Sequence, residues 1–341
     1  MKFIKKILFI INAIAGFLLL ISYVSPFIDP SKFWIFSFFG LAYPYLLILN
    51  SLFILLWILR YNKFFLLSTI VILIGYHYVS ENIKLSKPKN VEAGIKIVSY
   101  NLNQGYYMYD KGIEKGNLAD YLIDLEPDIL LLQELNTDYI KDELRILKSF
   151  PYKVIIPEIG TGIYSKYPYI KKGKIDFTLA TNSCIWADFK LNRDTVRIYS
   201  VHFQSNQVSK EAETMVQNIE KENGFESKSM KKILNNYKKN VQVRAEQVKL
   251  VKNHILRSKY PVIIGGDFND PPVSYTFHEF NAFLKDSFKE KGFGLGITYQ
   301  GAIPLLRIDY IMVSKIIQVT RFNTLKKKFS DHYPIEAEIK I

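Results

Sequence analysis

An apolar run, Val262–Ile264, ends in Gly265-Gly266 and then delivers Asp267 and Asn269, a carboxylate and an amide one residue apart. Other apolar stretches end in the same kind of residue. Ile95–Tyr100 leads into Asn101, Asp128–Leu135 carries Gln133 and Glu134, and Thr195–Phe203 carries His202. Arg307–Ser314 holds Asp309, and Ser330, Asp331 and His332 precede the last apolar run. Taken singly, each has an ordinary account as a turn, a cap or a hydrogen-bonded core histidine. Taken together they point to one cluster, because a buried acid is costly unless it is paired or bound to a cation. Oxygen donors without cysteine favour Mg²⁺ or Mn²⁺ over zinc. An Asp–His pair orients and charges an imidazole, and an Asn holds a phosphoryl oxygen without adding negative charge. The reaction this inventory fits best is metal-assisted attack of water on phosphorus. Asp267 and Asn269 share a parity, so both are expected to face one site, with Gly265 and Gly266 allowing backbone and substrate to approach.

Such residues need rigid elements behind them. Ile95–Tyr100 reads as a strand, and Asp128–Leu135 is apolar enough for a strand buried on both faces. Further strands are predicted within 152–156, 162–168, 184–191 and 195–203. Leu118–Leu125 reads as the end of a short helix stopped at Glu126-Pro127, and another helix is expected near 274–284. Residues 207–258 are rich in Lys, Glu and Asn, with Val243, Gln247, Leu250, Val251 and Ile255 at helical spacing. They predict one or two long helices with a mobile stretch near "KENGFESKS". Lys231, Lys232, Lys238 and Lys239 mark either a solvated helix face or a contact for anionic lipid or nucleic acid. In the last run Ile335, Ala337 and Ile339 alternate with Glu336, Glu338 and Lys340, the pattern of a half-solvated strand. Strands and helices mix without a regular βα repeat. The expectation is an α/β (α+β) fold of stacked sheets with helices outside, not a dinucleotide-binding fold.

The chain has 341 residues and a formal net charge of +13. Residues 1–80 hold six Lys/Arg and one acid, Asp29, leaving 39 basic and 31 acidic residues, a net of +8, for 81–341. That excess suits a phosphate-bearing partner, and it equally suits a lysine-rich proteome. The single cysteine, Cys184, excludes a disulfide framework and is expected as a small core residue. Ile7–Val24, Phe33–Leu59 and Phe64–Val79 are uncharged and predict three membrane-spanning helices, the third of marginal length. The first run has no small-x-small cleavage site, which argues against a removed signal peptide. Lys2, Lys5, Lys6, Arg60 and Lys63 then share one side, which places them in the cytoplasm and residues 81–341 outside it. Lys84, Lys87 and Lys89 argue the other way. Residues 81–94 read as a linker, and 95–341 as a catalytic domain.

The motifs "SYNLNQG", "LLQEL", "GIYSKYP", "YSVHFQS", "GGDFNDPP", "RIDYIMVS" and "SDHYPI" resemble, in order, those of the endonuclease/exonuclease/phosphatase superfamily. The resemblance runs from about residue 95 to the C-terminus. It implies a four-layer α/β/β/α sandwich of two packed mixed sheets, with the site at one sheet edge, and dependence on Mg²⁺ or Mn²⁺. By this resemblance Glu134 is the principal metal ligand, helped by Asn101 and Asp331. His332 contacts the scissile phosphate and is held by Asp309. Asp267 orients or deprotonates the attacking water, Asn269 binds a phosphate oxygen, and His202 is a second histidine of deoxyribonuclease- and sphingomyelinase-like members. Asn103 stands where abasic-site enzymes carry an acid, which disfavours that subfamily. The layout is similar to membrane-anchored members linked to glycopeptide resistance and undecaprenyl-pyrophosphate metabolism. Two substrate classes stay open: a lipid-linked phosphate ester or pyrophosphate, and a nucleic acid.

Overall fold

The computed structural model describes residues 2–86, 93–113, 117–135, 147, 149–156, 160–177, 182–207 and 227–341. Most of the stretch expected to be mobile, and part of the linker, lie outside the described residues. Two N-terminal helices, the first within Lys2–Phe27 and the second Ile35–Leu59, are long and apolar enough to cross a membrane. We label them α1 (Lys2–Ser22) and α3 (Ile35–Leu59), with α2 (Pro30–Phe33) between them. The third apolar run departs from a single helix. It is divided at Gly75 into α4 (Phe65–Ile74) and α5 (Tyr76–Asn82). The break has a steric reason, since the Tyr23 ring fills the space where a Gly75 side chain would sit. Ten helical residues rise only about 15 Å, half of a ~30 Å hydrocarbon layer.

The α1/α3/α4 bundle buries a polar spine among apolar side chains and is apolar outside. Asn12 donates to Ser68 Oγ (2.8 Å), Ser68 to Asn50 Oδ1 (2.9 Å), and Trp57 Nε1 to Asn12 Oδ1 (2.8 Å). All four side chains are fully buried. Ile10, Ile14, Phe17, Leu52, Leu55, Ile70 and Leu73 point outward and are exposed. Water would drive the reverse arrangement, whereas helices in hydrocarbon associate through packing and interhelical hydrogen bonds.

The remainder is two six-stranded sheets. The strands are β1 (Ile95–Asn101), β2 (Ile129–Gln133), β3 (Tyr152–Ile156), β4 (Thr161–Ser165), β5 (Tyr169–Ile175), β6 (Ser183–Leu191), β7 (Asp194–His202), β8 (Val262–Asp267), β9 (Leu284–Asp286), β10 (Asp309–Ser314), β11 (Gln318–Thr324) and β12 (Ile335–Lys340). One sheet runs β11-β12-β1-β2-β4-β3 and the other β5-β6-β7-β8-β10-β9. Among the described residues the remaining α-helices are α6 (Tyr106–Asp110), α7 (Asn117–Asp124), α8 (Ser227–Leu256), α9 (Tyr275–Asn281) and α10 (Ser287–Lys291).

Strand parity builds the layers. Ile97, Ile129, Leu131, Ile198, Ile263, Ile311, Ile335 and Ala337 fill the space between the sheets. Their neighbours Val98, Tyr100, Leu130 and Leu132 pack outward under α7. Tyr199, Ile264, Met312 and Cys184 pack outward under α8 and α9. The result is the expected α/β/β/α sandwich.

Three local expectations change. Glu336 and Glu338 are buried (6% and 7% exposed), because the outer face of β12 is covered and Asn323 and Arg321 hold the carboxylates. The buried stripe of α8 is Tyr237, Val241, Ala245, Val248, Val251 and Ile255, while Leu250 is exposed. Gly265 and Gly266 serve packing rather than substrate. A Cβ on Gly265 would strike Leu131 of the opposite sheet, and one on Gly266 (φ 143°) would strike the Val201 carbonyl.

The bundle seats directly on the sandwich. Leu41 of α3 packs with Tyr237, Val241, Leu306 and Ile308. Gly40 gives the Val273 carbonyl room to approach α3. Lys249 of α8 pairs with Asp29 (2.8 Å), and Arg307 donates to the Glu81 carbonyl (3.1 Å). Substituting Asn50 by Ala removes the acceptor for Ser68 at the bundle centre. The expected cost is about 1 kcal/mol of bundle stability, read as a lowered melting temperature of the detergent-solubilised chain; an unchanged melt refutes the polar spine as a stabilising element.

Candidate active site

The site is the polar end of the inter-sheet core. Register puts it there. His202 of β7 lies opposite Asp267 of β8 in the parallel ladder, and Asp309 of β10 lies opposite Asp267 from the other side. In the facing sheet Asn101 of β1 lies opposite Gln133 of β2. On β7, β8 and β10 the same alternation that turns Ile198, Ile263 and Ile311 into the gap turns His202, Asp267 and Asp309 into it two or four residues on. Gln133 bridges the sheets through Nε2 to Ser200 Oγ (3.1 Å).

Asp267, 1% exposed, is the hub. Its Oδ1 accepts from the Asn269 backbone N–H (2.8 Å), and its Oδ2 accepts from the side-chain amides of Asn269 and Asn101 (3.0 Å each). The same Asn101 amide donates to Glu134 Oε1 (3.1 Å), while its oxygen accepts from the Asn103 N–H (3.0 Å). Glu134 follows β2 with φ 53°, a left-handed turn that ends the strand. Asn269 also lies past its strand, at φ 54°, and its amide reaches the Phe203 carbonyl (2.9 Å). Thus Asn269 meets Asp267 through a turn rather than through strand parity.

Two histidines flank the hub. His332 Nδ1 is 2.9 Å from Asp309 Oδ2, and its Nε2 is 3.8 Å from Asp267 Oδ2. His202 Nε2 lies 3.5 Å from Glu134 Oε1 and 3.8 Å from Asp267 Oδ2. Both His202 nitrogens are buried with no hydrogen-bond partner among the described residues. Buried polar groups are normally satisfied, so an unpartnered imidazole at a pocket wall is positioned for a ligand oxygen. Asp331 stands close enough to Glu134 for that charge to add to burial in raising its pKa. Burial also raises Asp267, to about 6, with Asp309 adding to the rise and the histidines opposing it. Burial disfavours the His332 imidazolium, yet Asp309 and Asp267 together hold its pKa well above the usual value.

All eight residues singled out in the sequence therefore meet at this end of the sandwich. Oxygen atoms of Asp267 and Asp309 and a nitrogen of His332 lie within 4.8 Å of one another. Glu134 and Asp331 add two further carboxylates, partly exposed at the pocket mouth. This oxygen-rich set, free of cysteine and with acids raising one another's pKa, fits a hard divalent cation.

Several supporting residues escaped sequence reasoning. Arg244 of α8, 1% exposed, pairs with Asp270 (3.1 Å) and donates to the Gln204 carbonyl and Asn206 Oδ1 (2.8 Å each). Asn206 donates to the Asn269 carbonyl (3.1 Å), so one guanidinium ties the loop after His202 to the loop after Asp267. Thr298 Oγ1 accepts from the Ile308 and Asp309 N–H groups (3.0 and 3.1 Å). The Tyr299 ring stands edge-on to His332 at 5.1 Å. The only signal for Arg244 was its place among apolar residues of a helix, in "VRAEQVKL"; nothing marked Tyr299.

The profile of the Endonuclease/Exonuclease/phosphatase family matches residues 98–332, and the chain belongs to that family, whose members hydrolyse phosphate esters. A second profile, described as a domain of unknown function, matches residues 5–82. No curated protein matches the chain. Among solved structures it is similar to an endonuclease/exonuclease/phosphatase family protein of Bacteroides thetaiotaomicron (17% identity, TM-score 0.53, covering 74% of this chain and 96% of that one). It is also similar to a humanised D. rerio TDP2 (18%, 0.55, 73% and 100%). A third is a mannosyl-6-phosphatase of Bacteroides thetaiotaomicron (18%, 0.52, 72% and 100%). At these identities the likeness is one of fold.

In the metal-free protein His332 is expected to be charged at pH 7.5, seen as an imidazolium by NMR of isotope-labelled histidine. Its raised folded pKa contributes stability fully present below about 6.5 and lost as pH rises through the folded value. Asp309→Asn is expected to return the ring to neutrality at pH 7.5; a neutral ring in the unsubstituted protein contradicts the charge arrangement.

Proposed function

We propose that the chain is a membrane-anchored phosphoesterase that uses Mg²⁺ or Mn²⁺ to hydrolyse a lipid-linked phosphate ester or pyrophosphate, on the extracytoplasmic side of a bacterial inner membrane. The observation that carries the lipid reading is the contact of α3 with both active-site loops. Gly40 abuts Val273, in the loop after Asp267 and Asn269, and Tyr45 donates to the Pro304 carbonyl, in the loop before Asp309. The bundle's apolar exterior supports the membrane assignment. Its basic end, with Lys5 over the Phe64 ring (5.2 Å), is opposite the end that meets the sandwich. Basic residues on the cytoplasmic side then put the site outside.

Glu134, with Asn101 and Asp331, would hold the cation, which when bound offsets charge building on the phosphoryl oxygens. His332, kept cationic by Asp309, donates Nε2–H to a phosphoryl oxygen. His202 offers its unpartnered nitrogens to a second oxygen. Asn269 binds a third through its amide, which in the free protein is parked on Asp267. Asp267, with a pKa near 6, accepts a proton from the attacking water at neutral pH.

A second reading is an extracytoplasmic nuclease. It draws on the +8 charge of residues 81–341 and on the D. rerio TDP2 solved with a single-strand DNA product. A panel of lipid pyrophosphate, a model phosphodiester, sphingomyelin and plasmid DNA, run with and without EDTA, separates the two. Metal-dependent turnover of the lipid is expected. DNA cleavage that falls steeply with salt, without lipid turnover, replaces it with the nuclease reading. Glu134→Ala and His332→Ala are each expected to lower turnover by about 10³-fold or more; full activity in either removes the site assignment.

A further inference from the structure

Beside the candidate site lies a depression that the chemistry above does not use. It is a cavity of about 700 Å³ whose apolar lining is Phe293, Leu295, Ile297, Pro304, Leu305 and Phe322. Phe293 and Leu295, 53% and 48% exposed, sit together at its rim. Leu305 sits at φ 67°, a conformation that a bulky residue seldom adopts without a local demand.

Three features say what the cavity is built to take. First, it adjoins the chemistry across one ring. Tyr299, Gln300 and Tyr333 line it, and Tyr299 is the residue whose ring stands against His332. Gln300 reaches the Ser330 carbonyl (2.6 Å), and its N–H reaches the Asp331 carbonyl (2.8 Å). Second, its wall hangs between two membrane-side anchors. Gly294 exchanges backbone hydrogen bonds with Lys84, just after α5 (2.9 and 2.7 Å), and Pro304 accepts from Tyr45 of α3. Twenty helical residues counted back from Arg60, at about 1.5 Å each, span a ~30 Å hydrocarbon layer, so Tyr45 falls inside its outer margin. The Pro304 end of the cavity therefore meets the bilayer boundary. Third, the charge is one-sided. Lys326 lines the cavity, Lys327 and Lys328 follow it, and none of the lining residues is acidic. A largely apolar depression near the lipid boundary, next to the phosphate-handling site and with a lysine on its rim, suits an amphiphile with an anionic head.

We infer that this cavity binds the hydrocarbon chain of a lipid phosphate while the phosphate occupies the Glu134–His332 site. The inference rests on the lipid reading proposed above and assigns the chain its own binding surface. Burial is favourable in proportion to the apolar area removed from water, so a longer chain is expected to bind more tightly.

The test uses the full chain in detergent micelles and a long-chain alkyl phosphate carrying a terminal diazirine. Photolabelling is expected within residues 293–305 and 322–326. Leu295→Asp, at an exposed position that tolerates charge in the fold, is expected to reduce it about fivefold, and Leu295→Met to restore it. In parallel, the ratio of kcat/KM for hexadecyl over butyl p-nitrophenyl phosphate is expected to fall about fivefold in Leu295→Asp. Labels confined to α1, α3 and α4, or labelling and a length ratio that Leu295→Asp leaves unchanged, overturn the inference. Labelling by a single-stranded oligonucleotide at the same peptides, in place of the alkyl phosphate, also overturns it and assigns the surface to nucleic acid. If neither chromogenic ester is hydrolysed, the phosphoesterase reading fails, and the photolabelling still decides the cavity.

Discussion

A carboxylate at the end of an apolar core is unstable there unless its surroundings answer its charge, and Asp267 is that carboxylate. It is almost wholly buried, and three N–H donors and two imidazoles surround it. No surface ion pair has this consequence. Water screens an exposed pair to little net effect, whereas a buried charge without partners costs several kcal/mol. The partners come from Asp267's own loop and from three other segments, so the requirement to satisfy one carboxylate holds Asn101, His202, Asn269 and His332 in mutual register. The same requirement leaves strain in view. Glu134 and Asn269 both adopt left-handed backbone where their strands end. Strain of this kind persists where the surrounding structure over-determines a residue, and it concentrates at functional positions.

The second constraint is solvent. The sandwich hides its apolar residues in three layers of core and answers its buried acids with hydrogen bonds, as water demands. The N-terminal bundle differs: it buries asparagines, a serine and an indole beside Leu19 and Phe53, and it exposes isoleucine and phenylalanine. Where sandwich and bundle meet, α3 packs against the loop that follows Asp267 and the loop that precedes Asp309. Here Gly40, Leu41 and Tyr45 hold the loops themselves, so the geometry of the site and the seating of the bundle are mechanically linked.

Much of this was legible from residue patterns. Alternation in Ile95–Asn101 and Ile335–Lys340 gave strands, and parity assigned the correct inward face to Ile335, Ala337 and Ile339. The cluster of polar strand ends was legible for the same reason, since isolated buried acids are too costly to recur by accident. What failed was information that depends on what covers a surface. Glu336 and Glu338 look solvated in one dimension and are buried in three. Gln247, Val251 and Ile255 are buried as the helical spacing suggested, but Val243 and Leu250 are not, and the covered stripe also runs through Val241, Ala245 and Val248. The break at Gly75 depends on a tyrosine fifty residues away.

By itself, then, the sequence determined which residues are apolar, with what period, and which chemistry-bearing side chains end each run. Those are local properties, set by backbone sterics and by the cost of taking polar groups out of water. Only the tertiary structure decided that Asn269 reaches Asp267 around a turn, that Arg244 ties two loops together, and that Tyr299 stands between His332 and an apolar cavity. Those contacts join residues tens or hundreds of positions apart. They follow from how two sheets and a bundle pack, which no periodicity along one chain encodes.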